Sequence, residues 1–150
     1  MKILLATISP RRTPSSGPAT DLLEGYLERS GRYSPTTHRV FASEAALLSF
    51  VEDTASRTRP ALLLTDSRGK QLSSDELAAN VSRLRDAGTQ TLIFAIGPAD
   101  GWSPEALKRA DLTLAFGRIT LPHELAAVVA AEQIYRALTI LAGHPYHCGH

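Results

Sequence analysis

Short apolar runs alternate along the chain with segments whose apolar residues recur at helical spacing. The runs predict five strands, at residues 2–8, 37–41, 61–66, 91–96 and 112–116. Several of these runs are apolar without alternation, which is typical of strands buried on both faces. The pattern therefore predicts a single α/β domain over residues 1–150, with a mainly parallel sheet and helices on both faces.

Signals that start and stop helices lie between these strands. The predicted helices begin near residue 18, after Ser43, after Ser73, at residues 103–105 and near residue 124. Glu76 lies three residues after Ser73, which predicts a capping box, and Gly143 is suited to end the last helix. Residues 9–17 are expected to form a loop and residues 67–70 a turn.

Composition is that of an ordinary globular domain, with 43% hydrophobic and 21% charged residues. The net charge of +1 gives no global signature of nucleic-acid binding, so an RNA partner would need a local basic patch. The single Cys148 excludes an internal disulfide, and no apolar run reaches the roughly 18 residues of a membrane span. The apolar start of the chain ends at Ser9 and Pro10, too early for a signal peptide, so we expect a cytoplasmic protein. His144, His147 and His150 lack a carboxylate or Cys framework, so we expect no bound metal.

Two glycine-containing loops follow predicted strands. Residues 96–101 read Ile-Gly-Pro-Ala-Asp-Gly, and parallel sheets bind ligands beyond the carboxyl ends of strands. Gly97, Pro98 and Gly101 are therefore candidate binding residues, although a plain tight turn also fits. In the second loop, the backbone after Gly117 could read an adenine edge while apolar side chains cover its face. A simple strand-to-helix connection is the alternative there.

The C-terminal segment is dense in His, Tyr and Arg. His123 lies near a helix N-terminus, where the dipole disfavours imidazolium; a neutral histidine there can bind a ligand or simply cap the helix. Glu132 and Arg136 are spaced to pair on the last helix. Tyr146 offers a ring for base stacking and a hydroxyl. Residues 126–131 have no polar side chain, so we expect this stretch to be buried by its own domain or by a second copy.

The order and spacing of these segments closely resemble the ribosomal large-subunit methyltransferases called RlmH, of the SPOUT superfamily. The resemblance is strongest over residues 61–147. It implies a SPOUT fold with a trefoil knot, a homodimer, and an enzyme that transfers a methyl group from S-adenosylmethionine. The implied target is N3 of a pseudouridine in 23S ribosomal RNA, in the helix 69 region of the assembled ribosome.

The resemblance also assigns roles to individual residues. It implies a donor site formed by Leu64, Thr65, Gly97, Pro98, Gly101, Gly117, Arg118, Ile119, Thr120, Leu121 and Pro122. The implied catalytic group is His123, Arg136, Tyr146 and His147. His123, Tyr146 and His147 would position the base or accept its proton, and Arg136 would face RNA phosphate or orient the tail.

Two positions depart from the family pattern and keep alternatives open. Pro98 stands where the family usually has a second glycine, and it lacks a backbone donor. Ala127 stands where many members have arginine. The alternative function is therefore a non-catalytic RNA- or ribosome-binding relative. A receiver-like regulatory domain fits less well: Asp66 ends the third strand, but residues 9–12 lack the acids that such a site needs.

Overall fold

The computed structural model describes residues 1–10 and 17–148. Strands and helices alternate along this part of the chain. The strands are β1 (Lys2–Ile8), β2 (Thr36–Phe41), β3 (Ala61–Lys70), β4 (Thr91–Ile96) and β5 (Leu112–Leu114). The helices are α1 (Pro18–Ser30), α2 (Glu44–Ala55), α3 (Ser74–Asp86), α4 (Pro104–Arg109) and α5 (His123–Leu141). The loop predicted for residues 9–17 falls mostly outside the described residues.

The five strands form one sheet in the order β2-β1-β4-β3-β5, and every neighbouring pair is parallel. This confirms the predicted α/β class. From β1 the chain crosses to β2, its neighbour at one edge of the sheet. From β4 it crosses in the other direction, past β3, to β5 at the opposite edge. The connections from β1 and β4 therefore run in opposite directions, which opens a crevice between their carboxyl ends.

Helices cover both faces of the sheet, as predicted. One face packs against α1, α3 and α5 through residues such as Leu5, Leu63 and Phe94. The other face packs against α2 and α4 through the adjacent residues of the same strands, such as Leu62 and Ile93. Because successive strand residues point to opposite faces, both faces need apolar side chains. This explains the uninterrupted apolar runs of the central strands.

The apolar half of α5 is buried within the protomer. Ala130 and Ala131 are 0% exposed and belong to the same core cluster as Leu23 of α1 and Leu77 of α3. The absence of polar side chains in residues 126–131 therefore follows from packing inside the domain. Ala126, Val128 and Val129 keep part of their surface open, so the predicted dimer contact through this segment stays a prediction.

The end of β3 corrects the sequence-based prediction. Residues 67–70 were expected to turn away from the sheet, but the strand continues to Lys70 and returns to β5. Leu114 pairs with both Thr65 and Lys70, and the Ala115 N–H donates to the Lys70 carbonyl at 2.9 Å. Glycine at position 69 allows this approach, since a Cβ there would lie 2.7 Å from the Leu114 carbonyl carbon.

The remaining elements differ from the predictions mainly at their ends. The capping box is present: Ser73 Oγ accepts from the Glu76 N–H and a Glu76 carboxylate oxygen accepts from the Ser73 N–H. β5 ends at Leu114, two residues earlier than predicted, and α5 begins at His123. Within the described residues, no helix is long and apolar enough to cross a membrane. The trefoil knot stays a prediction of the resemblance.

Candidate functional site

The carboxyl ends of β3, β4 and β5 lie side by side. Thr65 of β3 is paired with Ile96 on one side and with Leu114 on the other, so the loops after β4 and β5 begin on either side of this part of β3. Leu64 is 0% exposed and supports this edge from the core. Thr65 is the first β3 residue whose surface is partly open. The fold thus brings together the three segments predicted to bind a ligand.

The loop after β4 is a tight turn held at both ends. The Gly101 N–H donates to the Pro98 carbonyl at 2.9 Å, and Gly101 has a φ of +86°, which favours glycine. Beyond the turn, the Ser103 N–H and hydroxyl donate to the two oxygens of Glu44 at 2.8 and 2.6 Å. The loop is therefore tied to the start of α2.

Trp102, which the sequence analysis did not single out, links the ends of β3 and β4. Its indole N–H donates to the Thr65 carbonyl at 2.8 Å. The ring also lies against Gly97, where a Cβ would come within 2.8 Å of the indole nitrogen. The available signal was that this is the only tryptophan of the chain and directly follows the glycine loop.

Asp66 supports the same corner of the site. Its side chain is 5% exposed, and its carboxylate accepts from the Arg68 side chain at 2.8 and 2.9 Å and from the Arg68 backbone N–H at 2.9 Å. The Arg68 guanidinium lowers the pKa of Asp66, and the nearby backbone of Trp102 has a smaller effect in the same direction. The charged form of Asp66 thus helps to hold the end of β3 in place.

The loop after β5 presents a mixed surface. Gly117 has a φ of +104°, and apart from its two chain neighbours no atom of the described residues lies within 4 Å of the place where its Cβ would be. Ile119 is 78% exposed, and Arg118, Thr120 and Pro122 are also exposed. An apolar side chain so open to solvent is available to cover one face of a bound ring.

His123 starts α5 and lies close to another histidine. Burial lowers the pKa of His38; Glu24 opposes this effect, and the charge of His123 lowers the pKa further. The His38 Nε2 atom lies 2.9 Å from the Thr7 hydroxyl near the end of β1. His123 therefore lies near enough to His38 for the two charges to interact.

Arg136, Tyr146 and His147 come together at a different place, around Glu132. One Glu132 oxygen accepts from Arg136 Nε and from the Tyr146 hydroxyl, each at 2.9 Å. His147 Nδ1 lies 3.1 Å from Arg136 Nη1. The Tyr146 ring packs edge-on against Tyr135 at 4.7 Å between centroids. We call residues 132, 136, 146 and 147 the tail cluster.

Hydrogen-bond roles limit what the tail cluster can do as it stands. Arginine has only donors, so His147 Nδ1 must accept and the ring proton lies on Nε2, 3.5 Å from Asp75 Oδ2. The Tyr146 hydroxyl donates to Glu132, and burial followed by Glu132 strongly raises the pKa of Tyr146. In this arrangement neither side chain is free to accept a proton.

The structure does not bring His123 to the tail cluster. At a rise of about 1.5 Å per residue, α5 separates His123 from Glu132 by about 14 Å and from Arg136 by about 20 Å. The predicted catalytic residues thus lie in two separate places within one protomer: His123 at the start of α5, and the other three in the tail cluster.

An open cleft of about 540 Å³ lies between the carboxyl ends of β1 and β4. Ile8, Pro10 and Trp102 give it apolar walls, and Glu44 and Asp100 lie at its polar side. It shares Pro98 and Gly101 with the loop after β4. The cleft and the three strand-end loops therefore meet at this loop.

Comparison with known proteins places the fold and the loops in one family. A sequence model described as "Predicted SPOUT methyltransferase" matches residues 1–147. The chain belongs to the SPOUT methyltransferase family. The resemblance drawn from the sequence is thereby confirmed.

Within the SPOUT family the chain is similar to proteins named ribosomal RNA large subunit methyltransferase H. The protein of that name from Koribacter versatilis is 55% identical over 125 residues, covering 83% of this chain and 85% of the relative. The one from Mesorhizobium japonicum is 42% identical over 146 residues, covering 88% and 91%. These values place the chain in the RlmH group.

Solved structures are similar at a lower level. The SpoU methyltransferase AviRb from Streptomyces viridochromogenes in complex with AdoMet has a TM-score of 0.46 and 16% identity. The chain spans 59% of that structure, which covers 91% of this chain. A probable methylase family protein from Haemophilus influenzae has a TM-score of 0.49 and 12% identity, with coverage of 94% of this chain and 66% of that one.

Proposed function

We propose that this SPOUT protein is an S-adenosylmethionine-dependent methyltransferase of large-subunit ribosomal RNA. The observation that carries the proposal is the high identity to relatives bearing that name, over most of both chains. At the finer level, we propose N3 of a pseudouridine in 23S RNA of the assembled ribosome as the target. A cytoplasmic location follows from that substrate.

The loops after β4 and β5, with the part of β3 around Thr65 between them, fit the methyl donor. At Gly101 and Gly117 the part of the chain that the structure describes, chain neighbours aside, leaves the place of a Cβ free within 4 Å, so the backbone there is open to close approach. Ile119 supplies an apolar surface for the adenine ring. When bound, S-adenosylmethionine supplies an electrophilic methyl group. These loops hold it in place, and holding two reactants in line lowers the barrier to transfer.

The target proton at N3 must leave during the reaction. His123 starts α5, directly after the donor loop, whereas in the tail cluster the Tyr146 hydroxyl donates to Glu132 and His147 Nδ1 accepts from Arg136. We therefore propose His123, or a water that it binds, as the acceptor. Arg136, Tyr146 and His147 would contact the RNA or the base.

A homodimer would resolve the distance between His123 and the tail cluster. Exposed large apolar side chains lie on the layer of α1 and α5: Leu22, Tyr33, Val40 and Leu125. A two-fold axis across this face could set the start of α5 in one copy beside the end of α5 in the other. Each site would then combine the donor loops of one protomer with the tail cluster of its partner.

Leu125→Glu is expected to give a monomer while leaving the fold intact. Leu125 is 50% exposed, so a charge there stays solvated in the protomer but would be buried in the dimer. Sedimentation velocity at micromolar concentration measures the outcome, with Lys108→Glu on α4 as a control on the opposite layer. A wild-type chain that sediments as a monomer would rule out the dimer.

Transfer of labelled methyl groups tests the function directly. We expect transfer to ribosomes that lack the modification, and much less to free 23S RNA. The net charge of +1 gives little non-specific affinity, so recognition must depend on the shape of the assembled substrate. Donor binding without transfer to any substrate would support the non-catalytic relative instead.

Pro98→Gly is expected to tighten donor binding by about tenfold, or about 1.4 kcal/mol, the scale of one hydrogen bond. Glycine returns a backbone N–H, and the turn is kept because it uses the carbonyl of residue 98. Calorimetric titration with S-adenosylhomocysteine gives the affinity. Pro104→Ala, at the start of α4, is the matched control. Unchanged or weaker binding would show that the loop has adapted to proline.

A further inference from the structure

We propose that Trp102 is a positioning residue for the methyl donor. It holds Thr65 of β3 and the end of β4 at the separation that the donor requires. The inference rests on the proposed function of the site. Trp102 would act through Thr65 and Gly97, the two predicted donor residues that it touches, and need not contact the donor.

The Trp102 indole links β3 to the chain after β4 just beyond the last backbone pair of these two strands. The β3–β4 pairing ends at Thr65 and Ile96. The next link between these strands is the hydrogen bond of 2.8 Å from the Trp102 indole to the Thr65 carbonyl. Trp102 is 4% exposed, so water does not compete well for this bond. Thr65 is held a second time by its hydroxyl, which donates to the Ala95 carbonyl at 3.1 Å.

The same ring sets the position of the loop after β4. A Cβ on Gly97 would lie 2.8 Å from the indole nitrogen and 2.9 Å from Cε2, so backbone and ring are in direct contact. The ring therefore limits how far Gly97 and Pro98 can move toward α4. A loop held in this way loses less conformational entropy when a ligand binds.

Trp102 is itself held by its neighbours. The next residue, Ser103, donates two hydrogen bonds to Glu44 at the start of α2, and the Asp66 carboxylate beside Thr65 is held by Arg68. The Trp102 ring forms part of the cleft wall between β1 and β4. The Trp102 side chain thus joins β3 to the loop after β4, and Ser103, the next residue, ties this corner to the start of α2.

Two substitutions separate the hydrogen bond from the packing. Trp102→Phe removes the N–H and keeps an aromatic ring, whereas Trp102→Leu removes both. We expect Trp102→Phe to raise the Kd for S-adenosylhomocysteine and the KM for S-adenosylmethionine about tenfold, with kcat at saturating donor unchanged within about twofold. A role in stability alone would lower the Tm but leave the Kd of the folded protein as in the wild type, which would overturn the proposal.

A double-mutant cycle tests the contact with Gly97. Gly97→Ala in the wild type must displace the indole, so we expect a large loss of donor affinity. In the Trp102→Leu background the smaller side chain leaves room for the added methyl group, so the same change should cost much less. Equal losses in both backgrounds would overturn the proposal, because independent sites show no coupling.

Fluorescence gives a measurement on the wild-type chain, since Trp102 is its only tryptophan. We expect S-adenosylhomocysteine to change the emission, with a midpoint equal to the calorimetric Kd. Calorimetric binding with no change in emission, and with wild-type affinity in Trp102→Phe, would overturn this inference and leave the proposed function standing. Absence of binding to the wild type would overturn both.

Discussion

Gly69→Ala is expected to lower the free energy of unfolding by about 3 kcal/mol, the upper part of the range for overpacked cores. The added Cβ would lie 2.7 Å from the Leu114 carbonyl carbon and 2.8 Å from Leu114 N and the Thr113 carbonyl carbon. These are backbone atoms of a paired strand, so no side chain can rotate away. Either β3 or β5 must move, and both carry loops of the proposed donor site.

Gly25→Ala is the matched control, since it adds the same methyl group in open space within α1. Alanine in a helix interior is expected to raise the free energy of unfolding by about 0.5–1 kcal/mol. Urea denaturation of both variants and the wild type measures the contrast. If Gly69→Ala is as stable as the wild type, the close approach of β3 to β5 does not hold in solution.

The sequence predicted most strands and helices because their signals are local. The apolar run at residues 91–96 and the capping box at Ser73 are determined by residues close together in the chain, and both were found as predicted. The return of β3 to β5 was not predicted. It depends on contact between Gly69 and Leu114, which are far apart in sequence, and residues 67–70 by themselves look like a turn.

The residues of the candidate site likewise fall into those that the sequence predicted and those that it did not. Its loops could be proposed from glycines that follow apolar runs and from the family resemblance. Trp102 was missed because an indole after a glycine turn gives no sign of which carbonyl it will bond. Glu132 was expected only to pair with Arg136, yet it also accepts from Tyr146. The burial of Ala130 within the protomer likewise depends on where α1 and α3 pack, which the helix pattern does not show.

A chain that ends at Gly143 is expected to keep its fold and its donor affinity but to lose methyl transfer. Helix α5 ends at Leu141, and Gly143 already has the left-handed φ of +69° that ends a helix. Truncation removes Tyr146 from Tyr135 and the His144 N–H from the Thr139 carbonyl. The aromatic pair is worth about 1 kcal/mol, which a domain of this size can lose without unfolding.

Loss of transfer follows from the tail cluster. Without Tyr146 and His147, Arg136 keeps only its hydrogen bonds to Glu132, and the cluster loses both the tyrosine that would stack on the base and its imidazole. A chain that ends at His147 retains the whole cluster and is the matched control; it should methylate ribosomes at the wild-type rate. Transfer of labelled methyl to unmodified ribosomes, beside calorimetry with S-adenosylhomocysteine, separates catalysis from donor binding. Full activity in the chain that ends at Gly143 would show that the tail takes no part in the reaction, and the proton and base contacts would then have to come from His123 and the donor loops.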